Sequence, residues 1–314
     1  MTTDAGFEAA LSAALPASAI QHHARLSEHT TLQVGGPADW LVTISDAAAL
    51  GEVLRAARAH GVPVTMLGGG SNVVIADDGI RGLVVRLQLT GISSPSPDRV
   101  RAEAGVTMNG LVRWMVGRGL SGLEAWAGTP GTVGGAIYGN AHYGGHNISE
   151  RVAQVRVVSR DGEERTVPRA EMGFAYDTSR LQTSGEIAVW VDFEVGSGAP
   201  EALRSVARAS LAHRKRTQPL ALPSAGCLFQ NPDPARDQIP DGIPPSAGAL
   251  IDRAGLKGHR IGGAVISPVH ANFVVNDGSA TAADIRALFE HAQAAVRRQF
   301  GIELRNEVVF LGKF

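Results

Sequence analysis

Cys227 is the only cysteine among 314 residues. It stands in Ser224-Ala225-Gly226-Cys227-Leu228-Phe229-Gln230-Asn231-Pro232, whose glycine, asparagine and proline predict a loop. A lone thiol forms no internal disulfide, so it serves packing or chemistry. In a regular core it is a small hydrophobe, whereas on a loop it can give or take a proton near neutral pH. Two glycine runs suggest a second kind of chemistry. Gly68-Gly69-Gly70-Ser71-Asn72 follows an apolar run at 62–67, a setting where backbone N–H groups cradle a pyrophosphate. The other run is Gly128-Thr129-Pro130-Gly131-Thr132-Val133-Gly134-Gly135-Ala136. Neither is the dinucleotide fingerprint opening a helix, and no Lys-Ser/Thr pair makes a Walker A loop. One such run fits a sharp turn as well as a ligand loop. Two together suit a ligand with an extended phosphate backbone. His22, His23, His60 and His291 are scattered without metal-ligand spacing, so no metal site is expected.

The elements that must position these groups are readable from periodicity. Residues 39–44 predict a strand, and Ser45 or Asp46 then caps a helix with Leu50, Val53, Leu54 and Ala57 on one face, ended by Gly61. Residues 62–67 read as a strand, 73–75, 83–87 and 100–104 as further short apolar runs, and 108–117 as a helix. The stretch 128–145 has little periodicity of either kind. Strands follow at 152–158 and 187–195, with a turn at Asp161-Gly162. Gly196-Ser197-Gly198-Ala199-Pro200 marks a boundary. Beyond it come a helix at 201–215 with a basic end, a loop over 219–245 carrying Cys227, and a helix at 246–253. Strands at 261–266 and 272–276, a long helix at 282–299 and a last strand at 307–311 complete an α+β pattern with two lobes.

Composition limits the function classes. Hydrophobic residues are 44% and charged residues 19%, as in an ordinary soluble globular chain, and the length is that of two domains. A net charge of -1 argues against a general nucleic-acid or membrane-surface binder. No segment approaches the roughly 20 apolar residues of a membrane span. Residues 1–15 contain Asp4 and Glu8 without a basic leader, so they read as a short helix before Pro16 rather than a secretory signal. Cytoplasmic residence is the expectation. The 38 glycines are an excess, about 12% against a usual ~7%. They cluster between apolar runs, where glycine marks tight turns or a backbone brought close to a ligand.

Several independent motifs together resemble the UDP-N-acetylenolpyruvoylglucosamine reductase family. They are Thr30-Thr31 with Gly35-Gly36-Pro37-Ala38-Asp39, the run from Gly68 to Asn72, and the run from Gly128 to Gly135 with Asn140. The likeness continues through Ser224 to Pro232, His270-Ala271-Asn272-Phe273 and Gly301-Ile302-Glu303-Leu304-Arg305-Asn306-Glu307-Val308. The short segment between Tyr176 and Trp190 is like the class without an extra substrate-covering loop. The resemblance implies non-covalent FAD in a two-lobed domain of the vanillyl-alcohol-oxidase (PCMH) type at 36–199. An N-terminal segment at 1–35 would pack on it, and a C-terminal α+β substrate domain would span 200–314. NADPH would be the co-substrate and a UDP-sugar the substrate of a monomeric enzyme with no nucleic-acid or membrane partner. The alternatives are another flavin oxidoreductase of the same fold, acting on a hydroxy acid or sugar, and a non-enzymatic nucleotide-binding module.

Residue roles follow from the same resemblance. Gly68, Gly69, Gly70, Ser71, Asn72, Gly128, Thr129, Pro130, Gly131, Gly134, Gly135 and Asn140 would hold FAD. Cys227 stands where the family has a serine acid, and a thiol, pKa ~8.5 in solution, is the easier donor. Glu307 is the second catalytic group and could hydrogen-bond a carboxylate on which charge builds. Tyr176, Arg214, Asn231 and Asn272 would bind substrate. The family places an arginine directly after the tyrosine, but here the order is Tyr176-Asp177-Thr178-Ser179-Arg180. Arg180 is therefore the expected substitute cation.

Overall fold

The computed structural model describes residues 5–314. The helix expected at 1–15 is Ala5–Ala14, with positions 1–4 outside the described residues. The chain divides into two compact units with interleaved borders. One comprises 1–24, 38–69 and 81–212, and the other 25–37, 70–80 and 213–314. The contiguous division expected at 35/36 and 199/200 therefore differs from the compact units. Residues 70–80 join the second because Val73–Ile75 pairs in parallel with Val309–Leu311. The last border falls within the helix Pro200–Thr217.

The first unit has two sheets. In a four-stranded sheet Ile20–His22, Ala38–Ile44, Ile80–Leu87 and Val64–Met66 lie in that order. Helix Ala47–Ala59 covers it because Leu50, Val53, Leu54 and Ala57 share one face and are buried with Val42, Ile44 and Leu83. Asp46 caps this helix by accepting from the Ala48 N–H at 3.0 Å. The second sheet is antiparallel, with strands Glu164–Pro168, Val152–Val158, Ile187–Glu194, Arg99–Glu103 and Ile92–Ser96 in order. Helices Met108–Gly117 and Val133–Tyr138 bury Leu111, Met115, Val133 and Ile137 with Val155, Val191 and Phe193 of that sheet.

One buried charge ties together three strands of the second sheet. Asp192 accepts from Arg101 Nε at 2.7 Å and Nη2 at 2.9 Å, and from Gln154 Nε2 at 2.8 Å. Burial pushes its carboxyl up, but the bonds from Arg101 and Gln154 and the charges of Arg101 and Arg99 outweigh it and hold it below the usual range. A folded-state pKa below the unfolded value gives stability that is present above the unfolded pKa and lost as pH falls through the folded one. Asp192→Ala should therefore cost roughly 1.5–3 kcal/mol at neutral pH, the range for hydrogen bonds to charged groups. Urea unfolding of variant and wild type should show that gap closing below about pH 4.

In the second unit Ser224–Cys227, Phe273–Asn276, Ala264–Ile266 and Arg260–Ile261 form an antiparallel sheet in that order. Helix Ala282–Phe300 buries Ile285, Leu288, Phe289 and Val296. Thr281 and Asp284 cap one end of it reciprocally, and Gly301 at φ 71 ends the other. Phe289 stacks on Phe229 with ring centroids 4.3 Å apart. Among the described residues no helix is long and apolar enough to cross a membrane.

Candidate active site

Within the first unit the two glycine runs meet backbone to backbone. A Cβ built on Gly69 would lie 2.9 Å from Gly131 Cα, and one on Gly68 would lie 2.9 Å from Thr132 Oγ1. Only residues without side chains allow that approach. The stretch at 128–145 without periodicity contains a helix after all, Val133–Tyr138, capped by Thr132 Oγ1 accepting from the Gly135 N–H at 3.3 Å. Gly128 donates to Asn109 Oδ1 at 2.6 Å, and Met108 donates to the Gly131 carbonyl at 3.1 Å, which ties the run to helix Met108–Gly117. Thr129 donates its N–H to the Trp126 carbonyl, and Pro130 is exposed. Gly134 is small for a packing reason, since its Cβ would lie 3.0 Å from that of Ala104.

Gly68 is exposed and Gly69 and Gly131 are half-buried, so their peptide edges can meet a diphosphate with no side chain between, whereas the N–H groups of Gly128 and Gly135 are given to Asn109 and Thr132. The residues present fit a dinucleotide such as FAD. Asn140 is buried and serves the protein: its Nδ2 donates to the Ala175 carbonyl at 2.7 Å, and its Oδ1 accepts from Ser149 at 3.3 Å.

That amide anchors the turn that holds Tyr176 and Asp177. Ala175 and Thr178 exchange backbone hydrogen bonds of 3.0 and 3.1 Å, and Asp177 has φ 51, a conformation that aspartate tolerates better than most residues. Ser179 Oγ and Gln182 Nε2 fasten the turn to the Tyr138 carbonyl at 2.8 and 3.0 Å. Asp177 Oδ1 lies 3.1 Å from His142 Nδ1, and the His142 ring lies 5.0 Å from that of exposed Tyr176. Arg180 points elsewhere. Its Nε donates to Glu186 Oε2 at 2.9 Å and its Nη1 to the Glu171 carbonyl at 3.2 Å. Burial pushes the Glu186 carboxyl up, but bonds from Arg165 and Ser184 and the charges of Arg180 and Arg165 hold it below the usual range. Arg180 is thus part of an ion-pair cluster.

The second unit builds around the thiol. Cys227 ends a strand rather than sitting on the expected loop. Ser224 pairs with Val275 and Cys227 with Phe273, so the segment between them bulges, with Gly226 at φ 79. The bulge gives the same freedom of aim that the loop residues promised. Gly70 stands at φ 63, and a Cβ there would lie 2.1 Å from the His29 carbonyl oxygen. Thr31 joins this glycine to the thiol strand, donating its N–H to the Gly70 carbonyl at 3.0 Å and its hydroxyl to the Ser224 carbonyl at 2.6 Å. Ser71 follows Gly70, and its carbonyl oxygen is 4.0 Å from the position of a Gly226 Cβ.

Glu307 is brought to the same place by main chain. Its N–H donates to the Leu228 carbonyl at 2.9 Å, and its own carbonyl accepts from Asn72 Nδ2 at 3.0 Å. Cys227 and Glu307 are therefore separated by one residue and one backbone hydrogen bond.

Asn272 is a clamp for this arrangement. Buried, it accepts from the Phe229 N–H at 3.0 Å and donates to the Phe229 carbonyl at 2.7 Å. His270 Nδ1 accepts from the Asn272 N–H at 3.2 Å, and burial and then the charge of Lys257 push this imidazole down from its ordinary value. Asn231 Oδ1 accepts from Ala247 at 3.1 Å, at the start of helix Ala247–Arg253. In the basic run at the end of Pro200–Thr217, His213, Lys215 and Arg216 are exposed, but Arg214 is buried and donates to Gln218 Oε1 at 3.4 Å. Sequence reasoning missed Thr31 as the tie and His142 as the partner of Asp177. The acid standing in place of a cation was the signal for the latter, because it calls for a positive partner.

Residues 38–167 match a family model described as an FAD binding domain, and the chain is a flavin oxidoreductase with the α+β, two-lobed PCMH-type architecture expected. Residues 218–311 match the C-terminal domain of UDP-N-acetylenolpyruvoylglucosamine reductase. A protein of that name from Heliobacterium modesticaldum is 42% identical over 288 residues, covering 91% of this chain and 89% of its own. One from a Synechococcus species is 40% identical over 318 residues, covering 99% and 98%. The crystal structure of the Thermus caldophilus enzyme aligns with a TM-score of 0.78 at 33% identity, over 93% of this chain and 99% of that one. The chain belongs to the UDP-N-acetylenolpyruvoylglucosamine reductase family.

Proposed function

We propose that Cys227 and Glu307 are the proton-handling groups of an enolpyruvyl reductase in peptidoglycan precursor synthesis. The reaction is the NADPH-dependent reduction of UDP-N-acetylenolpyruvoylglucosamine to UDP-N-acetylmuramate. The substrate double bond gains hydride at its terminal methylene and a proton at the carbon bearing the carboxylate. FAD, which the glycine runs would hold, would supply the hydride, with NADPH as its source. As hydride adds, negative charge grows into the attached carboxylate. The Cys227 thiol holds the proton for the neighbouring carbon. A protonated Glu307 donates to the carboxylate while charge builds there.

The observation that supports this reading is the Leu228 carbonyl accepting from the Glu307 N–H, which ties the main chain at Glu307 to the residue after Cys227. Tyr176, Asn231 and Asn272 are proposed to line the sugar-nucleotide site, Asn272 by holding Phe229. Arg214, the inward-turned cation of its run, is proposed for the diphosphate. Residues 36–199 are assigned to FAD and 200–314 to substrate, in a monomeric, cytoplasmic enzyme that engages neither nucleic acid nor membrane.

The purified protein should be yellow and should consume NADPH only when the enolpyruvyl nucleotide is present, giving a product two hydrogens heavier. A yellow protein inactive on that substrate would indicate a different flavin oxidoreductase. A colourless one that rebinds no FAD would indicate a nucleotide-binding module.

The cofactor assignment has its own test at Gly135. A Cβ there meets only Thr132 Oγ1, at 3.5 Å, so the fold has room for it. Gly135→Val should place its branches where the diphosphate must pass, leaving an unchanged circular dichroism spectrum and a small fraction of the wild-type flavin content. Full flavin in the folded variant would contradict the assignment. Gly69 and Gly134 are poorer choices, since side chains there collide with Gly131 and Ala104 of the protein itself.

A further inference from the structure

The family cation is replaced by Asp177, and Arg180 is engaged by Glu186 and Glu171. Three observations point to another group. His142 Nδ1 lies 3.1 Å from Asp177 Oδ1, with the imidazole side chain 30% and the carboxylate 12% exposed. The ring is flanked by Tyr176, itself exposed and proposed above to line the sugar-nucleotide site. Asp177 Oδ2 is buried with no hydrogen-bond partner among the described residues. A carboxylate so placed needs a positive neighbour, because a buried acceptor left unsatisfied carries its full desolvation penalty.

We infer that His142, oriented by Asp177, is the group that meets the enolpyruvyl carboxylate in this chain, in place of the arginine; the inference rests on the reductase reading above. With a proton on both nitrogens, the ring donates Nδ1–H to Asp177, which fixes its plane. Nε2–H, on the opposite side of the ring, then donates to a carboxylate oxygen of the substrate. Asp177 is a positioning residue: it sets the ring through Oδ1 and balances its charge. The pair as a whole is neutral, so it offers a directed donor rather than the net charge of an arginine fork.

The test separates carboxylate recognition from general damage. Calorimetric titration of the oxidised holoenzyme would use UDP-N-acetylenolpyruvoylglucosamine and, as a probe without the carboxylate, UDP-N-acetylglucosamine. His142→Ala should weaken the first roughly 10- to 100-fold, the scale of one hydrogen bond to a charged group, and leave the second unchanged. His142→Gln, which keeps a neutral donor, should lose less. Asp177→Asn tolerates the same turn and should fall between wild type and His142→Ala for the first ligand only. Arg180→Ala should affect neither. Wild-type affinity for both ligands in His142→Ala would overturn the inference, as would a carboxylate-selective loss in Arg180→Ala. A wild-type protein that neither binds nor reduces the enolpyruvyl nucleotide would sink the reductase reading itself.

Discussion

Cys227→Ala should slow reoxidation of the reduced enzyme by UDP-N-acetylenolpyruvoylglucosamine by roughly 10²–10⁴, the usual contribution of a positioned general acid. Reduction by NADPH should proceed at the wild-type rate, since the role proposed for the thiol is confined to the carbon that is protonated. The variant should remain folded, because Cys227 is held by main-chain pairing with Phe273 and its strand by Thr31 at Ser224. Cys227→Ser keeps a proton donor at the same Cβ and should retain substantial activity. Following the flavin absorbance in a stopped-flow instrument separates the two half-reactions. Normal reoxidation of the alanine variant would reduce the thiol to packing.

Glu307→Ala should lower the same half-reaction by about 10²–10³, the loss typical when one donor to a developing oxyanion is removed. Both backbone bonds of Glu307, to Leu228 and from Asn72, survive any side-chain change, so the thiol strand stays in place. Glu307→Gln preserves size and a donor and should be the milder variant. Equal, near-normal reoxidation of both would place the carboxyl outside the chemistry.

Much of the frame was legible because its signals are local. Asp46 and Gly61 bracket a helix whose apolar face follows the expected spacing, and the long helix ending at Gly301 carries its own capping box. The helix Val133–Tyr138 escaped notice because glycines fill its first turn and leave only Val133, Ala136 and Ile137 as a buried face. The thiol strand read as a loop for a related reason: a bulged strand shares glycine and broken alternation with a loop. Thr31 was invisible as a tie because its partner, Ser224, lies 193 residues away. Asn140 and Asn272 look alike in sequence to ligand-binding amides. Only the structure reveals that each bonds backbone groups of the protein at both ends. Arg180 was chosen for nearness along the chain, but its direction is set by Glu186, which sequence alone does not place.

The parallel pairing of Val73–Ile75 with Val309–Leu311 has a consequence for how the chain is made. A ribosome releases the first of these strands more than two hundred residues before the second. Until then residues 70–80 have no edge to join, and the apolar Val74 and Ile75, fully buried at the end, are exposed on the nascent chain. A chain cut short before Val309 is thus deprived of more than its own tail: it leaves a segment near the glycine run without its mate. Quality-control proteases should therefore find such truncations marked at a site more than two hundred residues from the break.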